Sequence, residues 1–569
     1  MYPVKIILSF ISQIKFNTFF LILVSTLSSL FNALSAISLI PIVSLLLGQE
    51  VNFKIKDYFE KVDFINFDEL SQLNFIAIFL ILFLIGSMFK ILSDYLIIKI
   101  RVKILSLYFH ELLENFFRAD WHFLYMNDIG KISNSVYKEL DKVGGSIIAV
   151  LHIFSNFFLI SIIAFLPLIV SWKVTLISFI ILLLLFTPTK ILNIIFYNLG
   201  KKFTAESNLF SKLFFYAISM YKTITANASN TRTIQQIHTS YKKINGYEVI
   251  NKILNSSISE TLNILSILFV FIIFSVSTYH ELSIPETSTI LYAFLRIFPY
   301  INNSISMTNV IESSRPGYEL IKKLKYESLK LRSSWGNHNF KHFTKEISLK
   351  NISYTYPNGK IALKNINIDF KAGQMIALVG QSGSGKSTIL DLLAGLNKAS
   401  SGSIGIDGKN LYEFKKESYQ EKIGYVDSNV DLFPYSIREN VQMFENKNDE
   451  HEYEKVLKIV NMDKIIQDLP DKDNTLVGDK GSKLSSGQKQ RLCIARALIK
   501  KPQIIIFDEA TNYLDEKNEQ SILENISKYK GLQTIFFATH KLDILKHFEK
   551  VLFIKDGKIE KVLDQNKSN

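Results

Sequence analysis

Long apolar runs dominate the first half of the chain, and shorter apolar runs alternate with charged segments in the second half. From the N-terminus to about residue 312, the runs reach the roughly 20 residues that a helix needs to cross a bilayer. The pattern predicts six membrane-spanning helices, at about 18–48, 74–98, 145–170, 174–197, 258–279 and 285–312. A short basic amphipathic stretch, residues 1–17, is expected to lie at the membrane interface. The first run is too long for a cleaved signal peptide.

The loops between these runs differ in charge. Loop 49–73 carries six acidic and three basic residues, whereas loop 198–255 carries two acidic and eight basic residues. Because basic loops stay on the cytoplasmic side, loop 198–255 is predicted inside, and both termini are predicted in the cytoplasm. The two internal loops are long and show helical periodicity. We expect helical stalks with short crossing helices at 120–129 and 228–236; plain loops are the alternative.

The composition changes after residue 317. Residues 318–345 are charged and helical and then linker-like, and from residue 346 strand patterns alternate with helical ones. This order predicts a multi-pass helical membrane domain at 1–317, a linker at 318–345 and an α/β domain with a largely parallel sheet at 346–569. The net charge of +13 with 48% apolar residues suits either nucleic acid or a membrane, and the spans favour the membrane. The single Cys493 excludes an intrachain disulfide and a cysteine-rich metal site.

A phosphate-binding loop follows the predicted strand 375–379. The segment Gly380–Thr388 has the pattern G-x-x-x-x-G-K-[ST] and opens a predicted helix, which is the context that phosphate binding requires. Backbone N–H groups of such a loop surround phosphates, and the helix N-terminus adds its positive dipole end. The candidate nucleotide ligands here are Gly380, Gly383, Ser384, Gly385, Lys386, Ser387 and Thr388.

An acidic pair ends a second apolar strand, at Asp508 and Glu509. Asp508 suits Mg²⁺ together with Ser387, and Glu509 suits the general base that activates water. Such a pair alone is weak evidence, since many strand ends carry solvated acids. Because a phosphate-binding loop precedes it, the pair predicts ATP hydrolysis with ATP and Mg²⁺ as cofactors.

The order of motifs resembles the ATP-binding cassette (ABC) family of transporters. It runs from the phosphate-binding loop through Leu484-Ser485-Ser486-Gly487-Gln488 to the acidic pair and His540. With six spans ahead of it, the chain resembles an ABC exporter half-transporter. The resemblance implies that Tyr356 stacks on adenine, although a strand-core tyrosine is the alternative. It implies further roles in nucleotide contact for Ser485, Gly487, Gln488, Asp515 and His540, with His540 and Glu509 acting in catalysis.

Two positions depart from the family pattern. Ser486 stands where the signature usually has glycine, and Asp427-Ser428 stands where Pro-Gln is usual. In the family, that glutamine senses Mg²⁺ and couples the ATPase to the membrane domain, so Ser428 is the candidate Mg²⁺ residue here. We expect ATPase function to survive, because the residues assigned to it are all present: Lys386, Asp508, Glu509 and His540. Coupling through Ser428 is the function that this substitution puts in doubt.

One chain supplies one phosphate-binding loop and one signature, so the family's composite sites require a dimer. A homodimer is the simplest assembly, and a heterodimer is the alternative. Arg296 lies within the sixth span and is the substrate candidate, because a buried guanidinium suits a pyrophosphate. A structural role beside a carbonyl or Asp94 is equally open.

The segments 31–41 and 293–302 are similar to bacterial flippases for lipid-linked oligosaccharides. This implies a polyprenyl-diphosphate glycolipid substrate at the bacterial inner membrane; the alternative is a multidrug, lipid or peptide exporter. A soluble ATPase acting on nucleic acid is disfavoured by the spans. An ATP-gated channel stays open.

Overall fold

Two compact units make up the chain. The computed structural model describes residues 2–38, 42–43, 72–185, 189–356, 358–442, 449–529 and 531–565. One unit comprises residues 1–118 and 123–330, and the other comprises Ala119–His122 and residues 331–569. The predicted external loop 49–73 and the end of the first predicted span lie almost wholly outside the described residues.

The first unit is built of helices. Its long helices are Ile11–Ile37, Gln72–Arg118, Leu140–Val170, Thr189–Ser219, Asn230–Tyr279 and Ile284–Lys330. Shorter ones are Tyr2–Ser9, His122–Met126, Ile129–Asn134, Trp172–Leu185 and Tyr221–Ala226, with a π-helical turn at Ser135–Glu139. Several of these helices run well beyond the predicted spans, as the stalk prediction requires.

Four of these helical regions are long and apolar enough to cross a membrane. Within the described residues they are Ser12–Ser35, Leu73–Arg118, Ile129–Val170 and Asn230–Tyr279. The predicted span 174–197 contains residues 186–188, which are outside the described part. The predicted span 285–312 is helical but does not belong to the four. Its sequence includes Arg296, Asn302 and Asn303, which lower its apolar character.

Two local predictions are wrong. The first long helix begins at Ile11 and not at Thr18, so residues 11–17 belong to it and not to a separate interfacial helix. The second crossing helix is predicted at 228–236, but the short helix of loop 198–255 is Tyr221–Ala226. Residues 230–236 already belong to the long helix Asn230–Tyr279. Helical periodicity gives no boundary where one helix follows another closely. The crossing helix predicted at 120–129 is present as His122–Met126.

A polar stripe runs along the first long helix. Asn32 and the serines Ser25, Ser28, Ser29 and Ser35 are all buried at the spacing of one helix face. The Ser28 hydroxyl donates to the carbonyl of Gly86 at 2.9 Å, and a Cβ at position 86 would lie 2.9 Å from Asn32 Nδ2. A glycine at position 86 therefore lets two helices approach closely around buried polar groups.

The second unit contains two sheets. Strands β1 (Glu346–Thr355), β2 (Ile361–Lys371), β4 (Ser401–Ile406) and β5 (Lys409–Asn410) form an antiparallel sheet in the order β2-β1-β4-β5. The larger sheet has the order β10-β9-β3-β8-β7-β6. Its strands are β3 (Met375–Val379), β6 (Ile423–Val426), β7 (Ile504–Asp508), β8 (Thr534–Thr539), β9 (Lys550–Lys555) and β10 (Lys558–Asp564).

The larger sheet is parallel except at its edge, where β10 runs antiparallel to β9. Strands β3, β7 and β8 are buried at every residue, as expected for a parallel sheet covered on both faces. Phe507 and Phe537 pack into a core on one face, and Ile506 and Phe536 pack into a core on the other. The prediction of a membrane domain followed by an α/β domain is confirmed.

Helices and short turns complete the second unit. The helices are Lys386–Leu393, Lys416–Gln420, Ile437–Gln442, Glu450–Ile459, Asp463–Gln467, Ser486–Leu498 and Glu516–Ser527. Single 3₁₀ turns lie at Leu411–Glu413, Lys472–Asn474, Asp479–Gly481 and Asp543–His547. Parallel β3, β7 and β8 all end at the same sheet edge, which collects the loops that carry the predicted site.

Candidate nucleotide-binding site

The loop between β3 and the helix Lys386–Leu393 requires its glycines. A Cβ at position 380 would lie 2.3 Å from the Ile554 carbonyl oxygen, and Gly385 has a φ of +110°. Gly383 also has a positive φ of +80°. The tight turn brings the loop backbone against the helix start, which is the geometry that surrounds phosphates with N–H groups. The helix begins at Lys386, within the loop motif itself.

Lys386 and Ser387 link this loop to the acidic pair. Lys386 Nζ donates to the carbonyls of Gly380 and Gln381 at 2.9 and 3.2 Å and lies 3.6 Å from Glu509 Oε1. The Ser387 hydroxyl donates to Asp508 Oδ1 at 2.9 Å. Residues more than 120 positions apart in sequence thus meet at one sheet edge, as the motifs predicted.

Asp508 and Glu509 occupy different environments. The pKa of Asp508 is raised to about 6, chiefly by burial; the Ser387 hydrogen bond opposes the rise, and the neighbouring carboxylates of Glu509 and Asp427 contribute to it. Glu509 is half-buried and has a positive φ of +50°, a strained conformation for a residue other than glycine. Asn512 Nδ2 donates to Glu509 Oε2 at 3.1 Å. The two carboxylate oxygens of Glu509 thus face different partners, Lys386 and Asn512.

The structure also brings Tyr356 to this site. Its hydroxyl lies 2.8 Å from Thr388 Oγ1, so the ring is attached to the first turn of the phosphate-loop helix. The ring is half-buried. His540 follows β8, whose Ala538 pairs with Asp508 in the sheet register, and its side chain is exposed. Both residues therefore border the same sheet edge as the phosphate-binding loop.

The signature residues form a second group. Ser485 caps the helix Ser486–Leu498: its hydroxyl accepts from the Gln488 N–H at 3.2 Å, while Gln488 Oε1 accepts from the Ser485 N–H at 2.9 Å. Ser486 is the first residue of that helix and is exposed, so its side chain causes no crowding within the subunit. A Cβ at position 487 would lie 3.2 Å from the Tyr513 carbonyl oxygen.

Asp515 lies near this second group. Its carboxylate caps the helix Glu516–Ser527: one oxygen accepts from the Asn518 N–H at 2.9 Å, and the other accepts from Asn518 Nδ2 at 2.7 Å. The side-chain bond and the backbone bond to Asn518 lower the pKa of Asp515. Within the described residues, no hydrogen bond or ion pair joins the segment Ser485–Gln488 to the loop Gly380–Thr388.

Three residues that the sequence analysis did not select support the site. Gln490 is fully buried and its Oε1 accepts from the Tyr513 N–H at 3.0 Å, which links the signature helix to the segment before Asp515. The Tyr425 hydroxyl donates to Asp391 Oδ1 at 3.1 Å, and burial raises the pKa of Asp391 to about 7. The sequence does contain a signal that could have identified Asp391, because it is a single acidic residue among apolar helix positions.

Ser428 sits after β6 and contacts its neighbour. Its hydroxyl donates to Asp427 Oδ1 at 3.1 Å, and the Asn429 N–H donates to the same oxygen at 3.2 Å. The loop therefore presents the Asp427 carboxylate and a short hydroxyl where the family has a longer amide. Asp427 acts electrostatically on both Asp391 and Asp508, raising the pKa of each.

Comparisons with known proteins agree with this geometry. The ABC transporter family model matches residues 363–512. The chain carries an ABC transporter ATPase domain. Its fold is similar to that of a bacterial Atm1-family ABC exporter with ATP bound, which aligns with a TM-score of 0.81 over 97% of this chain and 96% of that one, at 18% identity. The predicted enzyme class, an ATP hydrolase of the ABC transporter type, is confirmed.

Two curated relatives show the breadth of the similarity. The heterocyst differentiation ATP-binding protein HepA of Nostoc sp. is 26% identical over 446 residues, which cover 76% of this chain and 71% of HepA. The ATP-dependent lipid A-core flippase of Photobacterium profundum is 31% identical over 257 residues, which cover 45% of this chain. The chain spans 44% of the length of that flippase.

Arg296 lies in the membrane unit in a polar and aromatic setting. Its guanidinium donates to Asn32 Oδ1 at 2.9 Å and lies 4.7 Å from the centre of the Phe83 ring and 5.9 Å from that of Tyr292. Asp94 instead pairs with Lys90 at 3.2 Å, four residues earlier on the same helix. Of the two structural partners considered for Arg296, the structure provides an amide oxygen and not Asp94.

A separate cavity of about 610 Å³ is lined in part by the same helix, Ile284–Lys330. Its walls are largely apolar, and they include Ile160, Leu176, Phe179, Phe294 and Ile297. Arg296 does not line it. The membrane unit thus holds an apolar cavity and, one residue from its wall, a cation without a carboxylate partner among the described residues.

Proposed function

We propose that this chain is one half of a dimeric ATP-driven exporter or flippase of the bacterial inner membrane, with its ATPase domain in the cytoplasm. The observation that carries the proposal is the meeting of Lys386, Ser387, Asp508 and Glu509 at one sheet edge in a chain that also contains membrane-length helices. ATP binding at this edge supplies the energy for moving a substrate through the membrane unit.

The residues present fit an Mg²⁺–nucleotide complex. Mg²⁺ is bound in proteins by one or two oxygen side chains together with substrate phosphates, and Ser387 and Asp508 offer a hydroxyl and a carboxylate oxygen 2.9 Å apart. When bound, Mg²⁺ would neutralise the charge that develops on the phosphates. Ser428 is the third candidate, although its hydroxyl contacts Asp427 in this structure.

Each side chain then has a defined task. Lys386 exchanges its bonds to the loop carbonyls for the β- and γ-phosphates, and the N–H groups of the loop bind the remaining phosphate oxygens. Glu509 accepts a proton from the attacking water, and Asn512 holds its second oxygen. His540, exposed at the same sheet edge, contacts the γ-phosphate.

Within the described residues, the signature segment Ser485–Gln488 makes no hydrogen bond or ion pair to the phosphate-binding loop of its own chain, and this supports a dimer. The signature helix begins at an exposed N-terminus, which Ser485 and Gln488 cap. This N-terminus can bind a phosphate of the nucleotide held by a second subunit. Asp515 borders the same surface and would link the two sites. We propose a homodimer in which each ATP lies between the Gly380–Thr388 loop of one subunit and the Ser485–Gln488 segment of the other; a heterodimer is the alternative.

For the substrate we propose an amphipathic lipid with an anionic, pyrophosphate-bearing head, of the polyprenyl-diphosphate oligosaccharide type. Two observations support this class. The cavity of about 610 Å³ is apolar enough for a lipid chain. Arg296 is a membrane-embedded cation held by an amide and two rings, so its charge is available to a phosphate. The same apolar cavity favours the alternative, a multidrug or simple lipid exporter.

Reconstituted protein in proteoliposomes tests the proposal. ATP-dependent flipping of a lipid-linked oligosaccharide is compared with that of a fluorescent phospholipid. Arg296→Gln is expected to raise the glycolipid concentration for half-maximal ATPase stimulation about tenfold or more, because a hydrogen bond to a charged group is lost. Arg232→Gln, at an exposed position, serves as the matched control. If the glycolipid neither moves nor stimulates ATPase, the proposed substrate is wrong.

A further inference from the structure

Four residues of the first predicted internal loop, which lead into the short helix His122–Met126, belong to the unit that contains the ATPase domain. This tip segment, Ala119–His122, groups with residues 331–569. The Trp121 N–H donates to the Leu396 carbonyl at 3.2 Å, and the Asp120 carboxylate accepts from the Ser333 hydroxyl at 2.6 Å and from its N–H at 3.3 Å. These bonds hold the tip segment in place and define the position of His122.

His122 is part of a cluster of three rings with Tyr354 and Tyr356. Its imidazole stacks on Tyr356 with 5.0 Å between ring centres and 25° between ring planes. Tyr354 packs edge-on against both, at 5.2 Å and 85° from Tyr356 and at 6.3 Å and 73° from His122. The Tyr354 hydroxyl also lies 3.4 Å from His122 Nδ1. His122 is only 7% exposed, so this contact is an interior one.

The environment favours a neutral imidazole. Burial lowers the pKa of His122, and this effect is larger than the opposing effect of the nearby Asp120 carboxylate. A neutral ring stacks on a phenol as an aromatic partner, without a charge that would require its own counter-ion. His122 therefore contributes a flat surface to the cluster.

Tyr356 is held on several sides. His122 covers one face, Tyr354 contacts an edge, and the hydroxyl lies 2.8 Å from Thr388 Oγ1 on the phosphate-loop helix. Tyr354 and His122 are buried, whereas Tyr356 is only half-buried and keeps accessible surface. A diffusing ligand can reach only that accessible surface.

We propose that His122 is a positioning residue for the nucleotide base: it stacks on one face of Tyr356 and fixes the ring so that the opposite face receives adenine. This inference rests on the proposed nucleotide site at Tyr356. The base then completes a three-layer stack of imidazole, phenol and adenine. A residue from the membrane-domain half of the sequence thereby sets the affinity of the ATPase site for its base.

The test measures equilibrium binding to the full-length protein in detergent, with ATP and with tripolyphosphate, which lacks the base. His122→Ala is expected to weaken ATP binding about two- to tenfold, the effect of losing one aromatic pair. It should leave tripolyphosphate binding unchanged and raise the KM for ATP with little change in kcat. His122→Phe, which keeps a stacking ring, should restore ATP binding.

Two control variants separate the possible outcomes. His110→Ala removes an exposed histidine of the preceding helix and should leave the binding of both ATP and tripolyphosphate unchanged. Tyr356→Ala should weaken ATP binding more than His122→Ala does. If Tyr356→Ala has no effect, the nucleotide site at Tyr356 is wrong, and the present inference fails with it.

Three results would overturn the role of His122 alone. The first is unchanged ATP binding in His122→Ala while Tyr356→Ala weakens it. The second is an equal loss for ATP and tripolyphosphate that His122→Phe does not restore, which indicates a general structural effect. The third is tighter ATP binding in His122→Ala, which would mean that the imidazole occupies the face that the base needs.

Discussion

The buried Asp391 gives a pH-dependent prediction for the stability of the ATPase domain. Asp391 lies in the helix that starts at Lys386 and accepts a hydrogen bond from the Tyr425 hydroxyl at 3.1 Å. Its pKa is raised from 3.8 to about 7, chiefly by burial; the Tyr425 hydrogen bond opposes this rise, and Asp508 and Asp427 contribute to it. Because the folded state holds the proton more tightly than the unfolded state, ionisation of Asp391 destabilises the fold as the pH rises.

The size of the effect follows from the shift. About three pKa units at 1.36 kcal/mol each give an upper limit of about 4 kcal/mol. The cost is absent below pH 4, grows between pH 4 and 7, and is constant above pH 7. Asp391→Asn keeps the acceptor for Tyr425 but removes the ionisation. We therefore expect the variant to be more stable than the wild type, with a gap that widens from pH 5 to pH 8.

Thermal unfolding of the full-length protein in detergent measures this gap. At about 2–4 °C per kcal/mol for a domain of this size, the upper limit corresponds to a Tm gain of at most about 8–16 °C at pH 8, and to a few degrees at pH 5. Asp407→Asn is the control, because three backbone N–H groups lower the pKa of Asp407. Its variant should lose stability at neutral pH and approach the wild type in acid. A Tm gap for Asp391→Asn that does not change with pH would refute the reasoning.

Three further predictions concern the nucleotide site. Glu509→Gln should reduce ATP turnover 100-fold or more while retaining ATP binding, since it removes the general base; equal turnover in variant and wild type would contradict the assignment. Gly380→Ala should lower both the Tm and ATP affinity, because its Cβ would lie 2.3 Å from the Ile554 carbonyl oxygen, whereas Gly246→Ala, with open space around it and no positive φ, should leave ATP affinity unchanged. Ser428→Gln should increase the stimulation of ATPase by transported substrate, measured in proteoliposomes, and an unchanged ratio of stimulated to basal rate would argue against a coupling role.

Some elements could be predicted closely because their signals are local. Strand β3 has the predicted bounds, Met375–Val379, since a short apolar run before a glycine-rich loop has few alternative structures. The phosphate-binding loop is equally local, because its glycines are required by positive φ angles and close backbone approach. The start of the first membrane helix could not be placed, because residues 11–17 are compatible with either an interfacial or a spanning helix.

The sequence by itself determined the class of the protein: membrane-length apolar runs, the Gly380–Thr388 loop, and Asp508 and Glu509 after a buried strand. These features depend on residue type and spacing within one segment. Only the tertiary structure decided which distant side chains meet. It paired Arg296 with Asn32 and not with Asp94, and it stacked His122 on Tyr356. Such contacts depend on how the helices and strands pack, and a periodic pattern records which face of an element is buried but not which residue it meets there.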